Sequence, residues 1–169
     1  MKITLIAAGI MFIPQRGWAP VETVVWEYNQ ALSRLGHSVQ MINTRDTNEI
    51  LTEINQFEPD VINLHCDEFA NLLSDIKHPK KIATSHYPYI EQKEKHGPWA
   101  ETFNSFVNGN FYIFCLSEGI KNTLEINIKS RTICWGASYL NCSSNSEKKI
   151  NSFIKPLSTV LKVLIAYNF

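Results

Sequence analysis

The chain has 169 residues, in which 16 lysine and arginine side chains balance 16 aspartate and glutamate side chains. That length suits one domain with a substantial core and is short for an enzyme built from two domains. Because the charges cancel, no long-range field attracts nucleic acid or an anionic membrane, and we expect no nucleic-acid partner and at most peripheral membrane contact.

The first predicted unit is a strand, a glycine-containing loop and an amphipathic helix. Residues 3–8 form a short apolar run rich in branched side chains, which is typical of a buried parallel strand. Apolar residues at helical spacing follow between Pro20, which suits a first helical turn, and Gly36, which suits a helix end. The loop between them, residues 9–19, lies where free amides and the helix dipole favour a phosphate.

The pattern of strand and helix recurs along the chain. Further strands are predicted at residues 39–43, 61–65, 81–86, 111–116 and 131–135. Asp46, Asp67 and Ser117 precede apolar residues at helical spacing and are predicted helix caps. The basic cluster of His78, Lys80 and Lys81 is interpreted as solvated loop charge. About six strands alternating with helices predict the α/β class, as one Rossmann-like domain with a mostly parallel sheet covered on both faces.

The end of the chain has a different composition. Residues 138–149 are polar and turn-prone, and we interpret them as a linker. Residues 150–169 are predicted to form a terminal helix that packs its apolar side on the domain. The apolar stretch at 157–167 has about 11 residues, which is shorter than the ~20 that a transmembrane helix needs.

The cysteines indicate a reducing environment. Cys66, Cys115, Cys134 and Cys142 show no C-x-x-C spacing, and two of them lie in apolar, strand-like segments. Reduced, buried thiols of this kind are typical of a cytoplasmic protein, which is the location that we predict. A signal peptide is the alternative interpretation of residues 1–13, but the loop and helix that follow favour a strand.

Two histidines end predicted strands, at the edge where parallel α/β sheets bind ligands. His86 ends the fourth strand beside Thr84 and Ser85, and is either a ligand-facing group or a hydrogen-bonded structural histidine. His65 is followed by Cys66, Asp67 and Glu68. Consecutive residues at a strand end point in alternating directions, so these four do not converge on one metal ion. We expect no metal site here, and expect His65 to line the crevice.

The first loop lacks the established nucleotide-binding motifs. Gly9 and Gly17 are too far apart for G-x-G-x-x-G, which argues against a nicotinamide or flavin cofactor. No G-K-[ST] sequence ends the loop, and the acidic residues that a phospho-receiver domain needs are missing after the first strand.

Several short segments occur in an order that is fairly specific when taken together. They are KITLIAAGIMFIP at 2–14, GWAPVE at 17–22, LGHSV at 35–39, PDVINLH at 59–65, TSHY at 84–87, FCLSEG at 114–119 and WGA at 135–137. In this arrangement the chain resembles the amino-terminal half of family 4 of the retaining glycosyltransferases, enzymes of the GT-B class with two Rossmann-like domains. The resemblance covers residues 1–137.

The resemblance implies metal-independent, retaining transfer of a hexosyl group from a sugar nucleotide, such as a UDP- or GDP-hexose, to a sugar or lipid-linked acceptor. No further cofactor is implied. It assigns His86 as the catalytic residue that reaches the transferred sugar. It also implies donor binding by Gly9, Gly17, Trp18, Glu22, His65, Ser117 and Glu118. Ala19 and Pro20 stand where the family usually has a Gly-Gly or Gly-Ala pair, which stiffens the loop and removes one amide donor.

Nothing after Ala137 resembles the second domain of that family, which holds most of the donor and carries paired glutamates. We therefore predict an acceptor-side domain of a truncated or split glycosyltransferase that is inactive by itself. A separately encoded carboxyl-terminal half is its expected partner. The alternative is a free-standing, non-catalytic binding or interaction module with a glycosyltransferase-like fold.

Overall fold

A computed structural model describes residues 1–74, 76, 80–86, 111–115 and 132–134. The strands are β1 (Lys2–Ile6), β2 (Ser38–Ile42), β3 (Val61–Leu64), β4 (Lys81–Ser85), β5 (Tyr112–Cys115) and β6 (Thr132–Cys134). The helices are α1 (Pro20–Arg34), α2 (Thr47–Phe57) and α3 (Ala70–Ser74), the last preceded by a 3₁₀ turn at Asp67–Phe69. All strand pairs are parallel, in the order β2-β1-β3-β4-β5-β6.

The predicted α/β class with a parallel sheet is confirmed, and the described helices cover both faces. Ile6, Ile62 and Leu64 pack under α2 and α3, while Ile3, Leu5 and Ile82 pack under α1. The strand side chains alternate between these two clusters, as expected for strands buried on both sides. The linker, the terminal helix and the domain boundary at 137 lie outside the described residues.

Local sequence explains where the first two helices begin and end. Pro20 occupies the first position of α1, and Gly36 follows its end with a φ of +83°, a conformation that glycine adopts without strain. The Asp46 carboxylate accepts hydrogen bonds from the amides of Asn48 and Glu49, at 2.8 and 3.3 Å, so the predicted cap of α2 is confirmed.

The start of the third helical segment differs from the prediction. Asp67 is not the residue before a helix but the first residue of a 3₁₀ turn, in which the Phe69 amide donates to the Cys66 carbonyl at 3.1 Å. The chain therefore begins to turn one residue earlier than a cap at Asp67 requires. Asp67 is also buried, whereas a capping carboxylate at a helix start is usually solvated.

Lys81 is not the solvated loop charge that the sequence predicted for the basic cluster to which it belongs. It is 4% exposed, and its Nζ donates to the carbonyl oxygens of Leu73 at 3.0 Å and Ile76 at 3.1 Å. The ammonium also lies 5.0 Å from the centroid of the Phe111 ring. The Leu73 carbonyl also accepts from the Ile76 amide at 3.3 Å. Carbonyls at a helix end lack some of the amides that a longer helix would supply, and the buried ammonium adds a donor there.

The central strands bring their carboxyl ends to one edge. The His65 amide donates to the Ile6 carbonyl at 2.9 Å, which joins the residue after β3 to the end of β1. Leu64 pairs with Ala83, so the end of β4 lies beside that of β3. Among the described residues, no helix has the length and apolar composition needed to cross a bilayer.

Candidate functional site

A row of polar side chains runs toward the carboxyl edge between β3 and β4. Four polar residues share the sheet face covered by α1. Asn63 and His65 lie two residues apart at the end of β3, and Thr84 and His86 lie two residues apart at the end of β4. The Thr84 hydroxyl donates to Asn63 Oδ1 at 3.1 Å, and both residues are buried. A polar row inside an otherwise apolar face marks this edge as the place to look for a ligand site.

His65 and His86 are in direct contact. His65 Nδ1 lies 3.0 Å from His86 Nε2, and the rings stack with centroids 5.3 Å apart and an interplanar angle of 27°. His65 also packs edge-on against Tyr28 of α1, with ring centroids 5.4 Å apart. His65 is only 1% exposed and His86 is half-buried, so His86 is the member of the pair that a ligand can reach.

Burial holds both imidazoles in their neutral forms at pH 7. It lowers the pKa of His86 to about 4. The pKa of His65 also lies well below its ordinary value, first because of burial and second because of the neighbouring His86. Two neutral rings can share a hydrogen bond in which one nitrogen donates and the other accepts.

Gly9 shapes the start of the first loop. Its φ is +68°, and a Cβ at this position would lie 2.5 Å from the Thr44 carbonyl carbon, so only glycine fits. Its amide donates to Asn43 Oδ1 at 3.0 Å, and Asn43 Nδ2 donates to the Met11 carbonyl at 2.8 Å. Because the Gly9 amide already has this partner, Gly9 contributes to the site by placing the loop beside the segment that follows β2.

An ion pair reinforces this junction on its other side. Arg45 forms a salt bridge with Glu68, and its Nη1 donates to the Ala8 carbonyl at 3.4 Å. The Arg45 guanidinium lies 6.0 Å from the centroid of the Phe69 ring. The carboxyl ends of β1, β2 and β3 are therefore connected through side chains as well as through the sheet.

The tip of the first loop is open. Gly17 has a φ of +102° and no atom within 4 Å of a Cβ built on it, and the neighbouring Trp18 is 88% exposed. Phe12 is 72% exposed and lies 5.6 Å from the Arg16 guanidinium, while Ile10 is also exposed. Apolar side chains gathered on one exposed loop are a feature of surfaces that contact a ligand or partner.

The predicted site residues fall into separate groups. His65 and His86 meet directly, whereas no hydrogen bond or ring contact joins His86 to Gly17 or Trp18 within the described part of the chain. Glu22 lies in the first turn of α1 and is 4% exposed. Ser117 and Glu118 lie outside the described residues.

Consecutive side chains at residues 65–68 were predicted to point in alternating directions, which argued against a metal site. This alternation is confirmed for His65 and Cys66. His65 contacts Tyr28 on the α1 face, whereas Cys66 packs in the opposite cluster, under α2 and α3. Burial raises the pKa of the Cys66 thiol to about 11, so it stays protonated at pH 7. Over the described ranges, no three His, Cys, Asp or Glu side chains are grouped so as to hold a metal ion.

Sequence reasoning missed three members of the site. Tyr28 was expected only as an apolar residue of the helix, and Asn63 only as part of a strand. The signal for Asn63 was a polar residue in an otherwise apolar run, VINL, since buried polar groups need partners. Asn43 carried no local signal, because its role depends on a loop 34 residues away.

No protein-family model, curated protein or solved structure matches the chain. The fold and the histidine pair are therefore the observations from which a function is argued.

Proposed function

We propose that this chain is the acceptor-side, Rossmann-like half of a retaining glycosyltransferase that takes a sugar nucleotide as donor. The observation that carries the proposal is the histidine pair at the carboxyl edge of β3 and β4. Ligands of parallel α/β sheets bind at this edge. A neutral, half-buried imidazole held there by a second ring suits a hydrogen bond to a sugar or phosphate oxygen.

The first loop supports the proposal in a second way. It leaves β1 beside this histidine pair and leads into α1, whose N-terminus favours an anion. Gly17 and Trp18 lie on its exposed part, and we propose that they contact the donor phosphates, with Glu22 behind them in the first helical turn. Ser117 and Glu118 would complete the donor side.

The remaining features of the proposal follow the family pattern. The domain comprises residues 1–137 with about six strands, and the tail at 150–169 forms a helix that covers apolar surface. The protein is cytoplasmic and needs no metal or other cofactor. A second Rossmann-like half would supply the other wall of the crevice, and the acceptor is a sugar or a lipid-linked sugar.

Donor binding is the direct test of the proposal. Isothermal titration calorimetry of UDP- and GDP-hexoses with residues 1–169 should detect binding that His86→Ala removes. His37→Ala is the matched control, because His37 precedes β2 at the opposite edge of the sheet. Binding that is equal in all three proteins would contradict the assignment of His86.

Catalysis gives a second test. Residues 1–169 alone should show no transfer at ordinary enzyme rates, on the order of 1 per second, because these residues provide only one wall of the proposed crevice. Turnover at such a rate by this chain alone would contradict the proposed need for a second half.

An interaction module without catalysis is the second candidate, and the exposed apolar side chains at 10–18 favour it. In that case Phe12→Ser and Trp18→Ser should abolish association with a partner or with a second copy, and His86→Ala should not. Sedimentation velocity of the three variants separates the two candidates.

A further inference from the structure

The contact between the two histidines sets which nitrogen of His86 carries its proton. A hydrogen bond of 3.0 Å between His65 Nδ1 and His86 Nε2 needs one donor and one acceptor. If His65 donates, the proton of neutral His86 is on Nδ1. If His86 donates, its Nδ1 is a lone pair. The first arrangement makes His86 a donor toward a ligand, and the second makes it a base.

The surroundings of His65 distinguish these arrangements. His65 Nε2 is buried and, among the described residues, has no hydrogen-bond partner. When His65 donates from Nδ1, Nε2 is an unpaired acceptor; when His65 accepts, Nε2–H is an unpaired donor. Buried unpaired N–H groups are the rarer of the two in proteins.

Asn63 gives a second reason. Its Oδ1 accepts from Thr84, so its Nδ2 is the donor end, which is also buried without a partner in the described part of the chain. His65 directly follows β3 and stands two residues after Asn63, on the same face of the sheet. Within the described residues, an acceptor at His65 Nε2 leaves Asn63 Nδ2 as the one unpaired donor of this short stretch, whereas an N–H at His65 Nε2 would add a second.

We propose that His65 is a positioning residue, which donates from Nδ1–H to His86 Nε2 and so fixes His86 as the tautomer with its proton on Nδ1. Tyr28 holds the His65 ring edge-on, and Thr84 fixes the amide of Asn63. His86 then acts toward a ligand as a neutral hydrogen-bond donor. That role suits a sugar hydroxyl or a phosphate oxygen and excludes a general base. Only the identity of this ligand rests on the proposed function.

The tautomer is directly measurable by NMR. Long-range ¹H–¹⁵N correlation spectra of the full chain with labelled histidine, at pH 7, report which ring nitrogen carries the proton, and His86→Gln assigns the signals. The proposal expects Nδ1–H at both His86 and His65. A spectrum showing His86 protonated on Nε2 would overturn it.

A pair of variants tests whether His65 is the cause. The amide of His65→Asn can donate from near the Nδ1 position, so His86 should keep its Nδ1 proton. His65→Leu cannot donate, and His86 should change to the Nε2–H form. An unchanged tautomer in a folded His65→Leu protein would contradict the proposal. If this variant does not fold, the wild-type and His65→Asn spectra decide the question.

The test stands apart from the proposed function, because no sugar nucleotide is added. An Nδ1–H tautomer in a chain that binds no sugar nucleotide would leave the positioning role intact and refute the function. Binding of a sugar nucleotide by a chain whose His86 is protonated on Nε2 would leave the proposed function intact and refute the positioning role of His65.

Discussion

The histidine pair and the tip of the first loop differ in how firmly the protein holds them. His65 is fixed by a backbone hydrogen bond to Ile6, by Tyr28 and by His86, whereas Gly17 and Trp18 have open space around them. We infer that the two regions have different roles. The strand ends hold a preorganised polar group, and the loop tip supplies a surface that can adjust to a ligand.

The largest expected difference in stability is between alanine substitutions at two glycines of the first loop. Gly9→Ala should destabilise the protein by about 3 kcal/mol, because the new Cβ meets the Thr44 backbone and the φ is positive. Gly17→Ala, with a positive φ but no close neighbour, should lose only about 1 kcal/mol. Urea denaturation of the two variants measures both values. Equal losses would mean that the loop start is not held as described.

Acid should weaken the histidine pair and leave the loop tip unaffected. The folded pKa of His86 is about 4, below its ordinary value of 6.5, so the unfolded chain binds more protons as the pH falls. Stability should therefore be complete above pH 6.5 and fall between pH 6.5 and about 4. Between pH 7 and pH 5, His86 alone should account for a loss of about 2 kcal/mol.

The variant that tests this acid effect is His86→Gln, which lacks the titrating ring. It should flatten the dependence of the unfolding free energy on pH over that window, while His37→Gln should change it less, because the pKa of His37 is lowered to a smaller extent. Identical slopes in wild type and His86→Gln would show that His86 does not titrate as described.

Sequence patterns were sufficient for the strands and helices of residues 1–64 but not for the start of the third helical segment. Pro20, Gly36 and Asp46 act locally, so α1 and α2 begin and end near the predicted positions. Parallel strands also explain why His65 and His86 share one edge. The bond between their rings was not predictable, because it depends on the strand register and on the rotation of both side chains.

The prediction for Lys81 was wrong. Its charge argued for solvent, yet its amine satisfies carbonyl groups at the end of α3. Such a partner becomes visible only when the helix and the strand are placed side by side.

Removing the hydroxyl in the polar row should have a moderate effect. Thr84→Val leaves Asn63 Oδ1 buried without its donor, and the expected loss of stability is about 1–2 kcal/mol. The exposed Thr52→Val is the control and should change the unfolding free energy by less than about 0.5 kcal/mol. Equal losses would indicate that Thr84 contributes no more than a surface residue.

The smallest expected change in stability is at the loop tip. Trp18→Ser should leave the unfolding free energy within about 0.5 kcal/mol of wild type, since the side chain is exposed. It should nevertheless weaken sugar-nucleotide binding in calorimetry. A large loss of stability would show that the loop tip is packed, and unchanged binding would remove Trp18 from the proposed site.

The affinity of sugar nucleotides for wild type, His86→Ala and His37→Ala, each checked for stability, tests the assignment of His86 as the ligand-facing group. We predict that His86→Ala stays folded but loses about 1–2 kcal/mol of unfolding free energy, because the buried His65 Nδ1 loses its hydrogen-bond partner. Among the three proteins, only this variant should lose sugar-nucleotide binding. A His86→Ala protein that unfolds, or one that binds donors as wild type does, would contradict the claim that His86 is the ligand-facing group of this fold.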